Sequence, residues 1–511
     1  MRSWIRNLGL LALLVVFCAP VWAQESSLSG TVTDPDGAAV PGATVTIRNK
    51  ATGATRTATT GNDGSYIFPQ LPPGTYRIEV RKEQFKTAVH DNVVVPVGLP
   101  TTFNIRLEIG AVAETVVAQA ETARVNTTDA SLGNPFSGEQ VLQLPSLNLD
   151  PSGLLSLQAG VAFVPCSENQ IGYSCIAEFD GRPGSVNGSR SDQTNITLDG
   201  VDVNDPVNGF AFNSVLRVPQ ASLAEFRVVT QNYNADQGRS SAAQVQLVTR
   251  SGSNEIHGQA YYTHRNEIFN ANDFFFNRDG VERPKFRRHI YGAAAGGPIW
   301  PDRLFVWGNY ERLEEALTTP IVRSVPSNSF RDGVLIYQCA GGVAACPGGT
   351  VSGFSGTHTV PPGFYGLTPS ELAAIDPLGI GPNAAAITHF RQYPVPNTEG
   401  SFDRLNIVGF NFASPINNDI NTYLLRFDYN LDRAGNHVLW SRGILQDDGI
   451  TIAGPQFPGL PPNQLRISNN RGVMVGYRSN WGANLVNTFR YGLTRIGEQT
   501  EGNQEREFVT F

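Results

Sequence analysis

The residues best suited to chemistry are few. Outside the N-terminal leader, Cys166, Cys175, Cys339 and Cys346 form two close pairs, each inside a Gly/Ser-rich stretch. Four cysteines allow three connectivities, and the spacing favours Cys166–Cys175 and Cys339–Cys346 as local loop staples of an exported protein. Neither pair is CxxC and no histidine flanks them, so they are not read as metal ligands. His257 and His264 lie an odd number of residues apart, which on one strand puts them on opposite faces, unable to share a metal. Asp199, Asp202, Asn204 and Asp205 form an acidic cluster whose spacing departs from the EF-hand pattern; plain turn formation explains it as well as calcium does. Arg287, Arg288 and His289 offer charge to an anionic ligand or lipopolysaccharide, with a solvated face as the plainer reading. No HExxH, P-loop or G-x-S-x-G run occurs, and Gly379-Ile380-Gly381 leads into Pro382 rather than a phosphate-binding helix. The expectation is a non-enzyme without metal or cofactor.

Composition says what kind of scaffold holds these residues. The chain has 511 residues, a length that accommodates about three to four domains. Charged residues are only 16%, while 28 Phe, 15 Tyr and 6 Trp supply ample surface to bury, which excludes a disordered chain. Met (2) and lysine (Lys50, Lys82, Lys86 and Lys285) are scarce, which argues against a helical bundle. A net charge of −7 argues against a nucleic-acid partner. The composition is β-rich. Arg2 and Arg6, the apolar run Leu8 to Ala19, and Val21-Trp22-Ala23 read as a signal peptide over residues 1–23. Phe17 before Cys18 excludes a lipoprotein site. No later run is long enough for a membrane helix, so the protein is either soluble beyond the inner membrane or an outer-membrane barrel.

Short strands with Gly/Pro punctuation then follow. Ala43 to Arg48 alternates with period two, Asp34-Pro35-Asp36-Gly37 is a turn, and Asn62-Asp63-Gly64 leads into Tyr66-Ile67-Phe68, a β-sandwich pattern over residues 24–109. Residues 110 to 135 read as a polar connector, and Leu142 to Val164 has helix-like apolar spacing broken by Pro145 and Pro151. Beyond Arg250, Tyr423, Leu425, Phe427 and Tyr429 share one strand face with Arg426 and Asp428 opposite. Val473, Val475 and Tyr477, then Phe489, Tyr491 and Leu493, repeat the alternation. This is the transmembrane β-strand pattern, shared by soluble sandwiches. A long surface insert is expected over about Pro326 to Pro415. Within it Thr368-Pro369-Ser370-Glu371 is a capping box opening a helix that stops at Pro377.

The signposts Gly30-Thr31-Val32-Thr33-Asp34, Pro41-Gly42-Ala43-Thr44-Val45, Asp63-Gly64-Ser65-Tyr66 and Leu71-Pro72-Pro73-Gly74-Thr75-Tyr76 resemble the carboxypeptidase regulatory-like domain, a transthyretin-like sandwich without peptidase residues. Further motifs follow in order: Val186-Asn187-Gly188-Ser189-Arg190, Leu198-Asp199-Gly200-Val201-Asp202, Glu225-Phe226-Arg227-Val228-Val229-Thr230, Val248-Thr249-Arg250-Ser251-Gly252, Gly296-Gly297-Pro298-Ile299 and Tyr393-Pro394-Val395-Pro396-Asn397. Together they resemble the TonB-dependent outer-membrane receptors of the Oar-like branch.

The resemblance implies a mainly β protein: the sandwich, an α+β plug domain with its linker over 110–250, and the N-terminal part of a transmembrane β-barrel over 251–511. It implies uptake of an unidentified extracellular ligand, energised by TonB and its inner-membrane complex, in contact with outer-membrane lipid. The sandwich would lie in the periplasm. Glu114, Thr115, Val116, Val117 and Ala118 are the candidate TonB box, with an ordinary plug strand as the alternative. A different class of function on the same scaffold is surface adhesion without energy coupling. About eight to ten strand candidates follow Arg250, against about 22 for a plugged barrel, and Glu505 and Glu507 share the face of Phe511; the chain is therefore read as part of a longer protein.

Overall fold

The computed structural model describes residues 26–111, 115–119, 131–144, 151–163, 184–206, 214–233, 237–272, 274–278, 282–399, 403–481 and 485–502. The leader, Glu114, the Cys166–Cys175 pair and the tail from Asn503 with Glu505, Glu507 and Phe511 lie outside the described residues. The mainly β expectation holds throughout the three parts that follow.

The first part is the expected sandwich. Its strands are β1 (Ser26–Thr33), β2 (Thr44–Asn49), β3 (Thr55–Thr59), β4 (Ser65–Leu71), β5 (Gly74–Arg81), β6 (Thr87–Val95), β7 (Thr101–Thr102) and β8 (Ile105–Arg106). One sheet has β1 between β4 and the short β7 and β8; the other runs β3-β2-β5-β6. Alternation along β2 sends Val45 and Ile47 inward, where they meet Leu28, Phe68, Ile78 and Val80 in one buried cluster. A fifth strand, β9 (Thr115–Gln119), completes the second sheet by pairing parallel to β6.

The second part is an inner α+β unit. Its sheet has the order β10-β15-β16-β13-β14, from β10 (Leu132–Ser137), β13 (Asn195–Leu198), β14 (Val201–Asp202), β15 (Leu223–Gln231) and β16 (Gln244–Thr249). Between these, β11 (Val161–Phe163) and β12 (Gly184–Val186) form a small pair. The helix-like spacing over Leu142 to Val164 is not a helix through that stretch. A helix, Gly138–Gln143, starts on a Ser137/Gln140 capping box and ends at Leu144, whose ψ of 133° is the extended conformation that the following proline imposes. Pro151–Leu157 is a 3₁₀ turn instead.

The third part is a wall of long antiparallel strands: β17 (His257–Asn266), β18 (Phe286–Trp300), β19 (Leu304–Pro326), then β24 (Ile407–Asn430), β25 (His437–Pro455), β26 (Pro462–Ser468), β27 (Arg471–Asn480), β28 (Val486–Arg495) and β29 (Glu498–Gly502). Tight turns such as 301–303 and 431–436 join the strands at one rim, and long connections leave from the other. The insert is shorter than the sequence suggests. Ile407 to Pro415 continues β24 and pairs with Pro326 back to Thr318, so the looped part is 327–406. It contains the hairpins β20 (Leu335–Gln338) with β23 (Phe364–Leu367) and β21 (Gly349–Ser352) with β22 (Thr357–Val360). The Pro369–Ile375 helix carries both bonds of the Thr368/Glu371 capping box. Thr368→Ala should cost about 1 kcal/mol locally. Amide exchange over 369–375 would then quicken while the wall strands keep their protection; unchanged exchange in that helix would refute the assignment of the cap.

Candidate functional site

The two faces of the wall differ in chemistry. Tyr423, Leu425, Phe427, Leu439, Leu445, Val473, Val475 and Phe489 are exposed on one side, with Tyr491 at 61% and Leu493 at 56%. The alternate positions Arg426, Asp428, Arg442, Gln446 and Asp448 point to the side occupied by the inner unit. Such a dry exposed band against a polar interior is stable only in lipid. The alternation that produces it is the one legible in the sequence.

The polar face is where the inner unit is seated. Asp199 sits in a left-handed turn (φ 52°) after β13 and is almost wholly buried. Its carboxylate lies 3.1 Å from Arg442 Nε and 3.5 Å from Arg426 Nη1, both on wall strands. It also accepts the Thr249 backbone N–H at 2.9 Å and hydroxyl at 3.0 Å. Arg426 is held in place by Asp428 at 2.8 Å and donates to the Thr249 carbonyl at 2.7 Å. A second charged contact joins Arg217 of the inner unit to Asp448 at 3.0 Å, with Thr422 also accepting from Arg217 at 3.0 Å. Around these pairs, Leu216, Leu223, Phe226 and Leu247 share one buried cluster with Ala294, Trp307, Leu424 and Ile444 of the wall. Gly472 and Gly492 make room for this packing, since a Cβ there would collide with Leu216 and Val201.

The sandwich is fastened beside this interface. The Val97 N–H donates to both carboxylate oxygens of Glu225, each at 2.8 Å, and Arg227 donates to the Gly98 carbonyl. Burial pushes the Glu225 carboxyl up to about 7, against the opposing pull of the Val97 N–H and the Arg227 charge. At the short-turn rim, the Asn254 N–H donates to the Ala51 carbonyl at 3.0 Å, Arg56 to the Gly435 carbonyl at 3.4 Å, and Thr488 to Gln70 at 2.9 Å.

The residues singled out from sequence are placed as follows. Thr115 to Ala118 fall within β9, on the sandwich sheet. Cys339 and Cys346 are joined by a disulfide. The acidic cluster is dispersed into separate tasks: Asp199 faces the wall arginines, Asp202 pairs with Arg239, and Asn204 bonds the Ile196 N–H and Thr194 carbonyl. Among the described residues no cluster of three or more metal-ligating side chains occurs. His257 packs at a tilt against Trp307 while His264 meets His289, on opposite faces as their spacing requires. Arg287, Arg288 and His289 do not form one charged patch, because the strand turns them alternately. Arg288 is buried 2.5 Å from Glu315, and His289 accepts or donates to Tyr262 at 2.7 Å.

Sequence reading missed a cluster in the insert. Asp332 accepts from Ser355 Oγ at 2.5 Å, His358 Nε2 at 2.9 Å and Arg391 at 2.8 Å. Burial pushes its carboxyl up, but these donors outweigh that and hold it down to about 2. The Ser355 hydroxyl is bonded to the acid rather than to the histidine, so the group ties three segments together and is not built as a nucleophile and base. Its members are spread from 332 to 391, and no local motif announces it.

Residues 248–510 match the outer membrane beta barrel domain, which covers the whole strand wall. The chain belongs to the outer membrane β-barrel family. Like that family, it resides in the outer membrane, with strands rather than helices as its spans; no helix among the described residues is long and apolar enough to cross. Residues 27–108 match the carboxypeptidase regulatory-like domain, in agreement with the sandwich. The TonB-dependent transporter Oar of Myxococcus xanthus is 25% identical over 302 residues, which are 58% of this chain. The chain spans only 27% of that relative's length. Among solved structures, the outer membrane transporter YddB from Escherichia coli aligns over 73% of this chain and 40% of its own, with 12% identity and a TM-score of 0.45. A ferric enterobactin receptor of Pseudomonas aeruginosa, PfeA, aligns over 73% and 44%, with 12% identity and a TM-score of 0.37.

Proposed function

We propose that this outer membrane β-barrel protein is a TonB-dependent transporter for an extracellular ligand not yet identified. Residues 110–250 are its linker and plug, residues 251–511 belong to the barrel, and residues 24–109 are a periplasmic sandwich. The observation that carries the reading is the seating of the inner unit. It is packed on the polar face of the wall and held by buried ion pairs and side-chain packing. A body seated in this way blocks passage until work moves it. The outer membrane has no energy source of its own, so the work must come from a periplasmic partner that grips the chain. A short extended segment that adds to the partner's sheet is the economical grip, and Glu114 to Ala118 is the segment proposed. The likeness to the Oar transporter supports the same reading.

The test uses protein extracted from the outer membrane in detergent and the immobilised periplasmic domain of TonB. Deleting residues 114–118 should lower retention on that surface by about tenfold or more. The solubilised protein should still migrate as a heat-modifiable band, showing that its barrel is intact. Undiminished retention would remove the proposed grip. No retention of the intact protein would favour an adhesion role without energy coupling.

A further inference from the structure

A pair of like charges stands on the lipid side of the wall. Arg471 of β27 and Arg495 of β28 are register partners, set directly opposite each other across the ladder. Strand alternation turns both outward, onto the exposed face that carries Val473, Val475, Tyr491 and Leu493. Directly opposed side chains have their Cβ atoms about 4.5–5.5 Å apart, and like charges at that spacing repel. Among the described residues neither arginine forms an ion pair. On β25 the register partner of Arg471 is the exposed Leu445. The next outward residue there, Asp447, stands opposite Asn421 and pairs with neither arginine.

We infer that Arg471 and Arg495 clamp a phosphate of the phosphorylated glycolipid in the outer leaflet. Their height on the wall carries the choice of ligand. Below the pair come three apolar rows, Val473/Leu493, Val475/Tyr491 and Tyr477/Phe489, and then the short-turn rim, where Ser479 lies opposite His437. Arg471 to Ser479 is about 27 Å of strand, or about 20 Å in height once tilt is allowed for, against an apolar band about 25 Å tall. The pair therefore caps the apolar rows at the headgroup level of the leaflet on the long-loop side. Arginine suits that level, with its stem along apolar surface and its guanidinium among the headgroups. Two guanidinium forks on adjacent strands can donate to separate oxygens of one phosphate, and the anion cancels the repulsion between them. A free phosphate ion offers the same oxygens but no acyl chains to lie along the three apolar rows. Reading this leaflet as the outer one rests on the proposed placement of the sandwich, at the opposite rim, in the periplasm.

Native mass spectrometry of the intact protein, extracted from the outer membrane and stripped of lipid, tests this. The probes are a bisphosphorylated diglucosamine lipid (lipid A), the same lipid without its phosphates, and phosphatidylglycerol. The protein should retain the bisphosphorylated lipid about tenfold better than the dephosphorylated one. Arg471→Gln/Arg495→Gln should abolish that preference, whereas Arg433→Gln, at an exposed arginine of the opposite rim, should keep it. Heat-modifiable migration of each variant shows that its barrel is intact. In lipid-free detergent the double variant should unfold at no lower temperature than the parent, since relief of the repulsion is all that changes. Added bisphosphorylated lipid should raise the unfolding temperature of the parent alone. A lower lipid-free unfolding temperature in the double variant would mean that the chain itself holds the two arginines, and would overturn the inference. An unchanged lipid preference in the double variant would overturn it too, as would equal retention of the two glycolipids by the parent. Retention of phosphatidylglycerol in preference to the glycolipid, lost in the double variant, would put this rim in the inner leaflet and overturn the periplasmic placement of the sandwich along with the inference.

Discussion

Replacing Asp199 by alanine is expected to weaken the seating of the inner unit on the wall by about 3–5 kcal/mol, the usual cost of leaving a buried charge without its partner. Arg442 is the charge left behind. It is 1% exposed, sits 3.1 Å from the lost carboxylate, and cannot reach solvent without moving wall strand β25. Arg426 suffers less because Asp428 remains at 2.8 Å. The loss should appear as protease sensitivity of residues 131–250 in detergent-solubilised protein, at denaturant concentrations where the wild type is resistant. Adding Arg442→Met should restore part of the resistance, since an apolar side chain of similar length removes the unpaired charge; this non-additivity is the signature of direct coupling. Asp192→Ala, which removes the exposed 3.4 Å contact with Arg190 and a 3.5 Å bond from the Gln193 amide, should leave resistance unchanged. Equal sensitivity in the single and double variants would mean that Asp199 acts through its turn alone.

The second large effect concerns pH. The Glu225 carboxyl is raised by burial from 4.5 to about 7 in the docked sandwich. A raised acid contributes its stabilisation while protonated. That contribution is complete below pH 4.5 and is lost as pH climbs through about 7. At about 1.4 kcal/mol per unit, the docked state should weaken between acidic conditions and about pH 8.5 by at most about 3 kcal/mol, the limit in which docking alone buries the group. Glu225→Gln keeps an oxygen for the Val97 N–H and removes the titration. Its docking should match the wild type at about pH 5, exceed it at about pH 8.5 and be flat between. Fluorescence energy transfer between probes on the sandwich and on the inner unit reads this directly. A wild-type profile in the Glu225→Gln variant would assign the pH dependence to another group.

The elements with a strong local signal were legible from the sequence alone. Alternation exposed the apolar face at Tyr423, Leu425 and Phe427, because period two fixes which side chains share a face whatever lies beyond them. The Thr368 to Glu371 capping box is local in the same sense, with all its partners within four residues. Where the sequence misled, a long-range partner was decisive. Ile407 to Pro415 carries an Asn and a Pro and reads as loop, yet a ladder to Thr318–Pro326 holds it extended. Within the apolar spacing of 142–164, Leu154 and Leu155 enter the buried cluster of the inner sheet from a 3₁₀ turn rather than from a helix. Asp199 was visible within its Leu-Asp-Gly turn, but its task depends on Arg426 and Arg442, more than two hundred residues away. The Glu225 contact with Val97 is equally non-local, and no spacing rule connects the two.

The paired ribbon of β19 and β24 has a consequence for the living cell. At about 3.3 Å per residue, the 23 residues of β19 extend about 75 Å, whereas an outer-membrane barrel needs an apolar band only about 25 Å tall. Even allowing for tilt, the far half of the ribbon stands clear of the lipid as a mast. With the long-loop rim facing outward, its tip carries the Cys339–Cys346 staple and the Asp332 knot, a stiffened head held above the neighbouring surface. A macromolecule approaching that rim would meet the head before it reached the lumen. Changes within residues 327–406 would then alter what the surface presents without altering the packing of the inner unit on the wall.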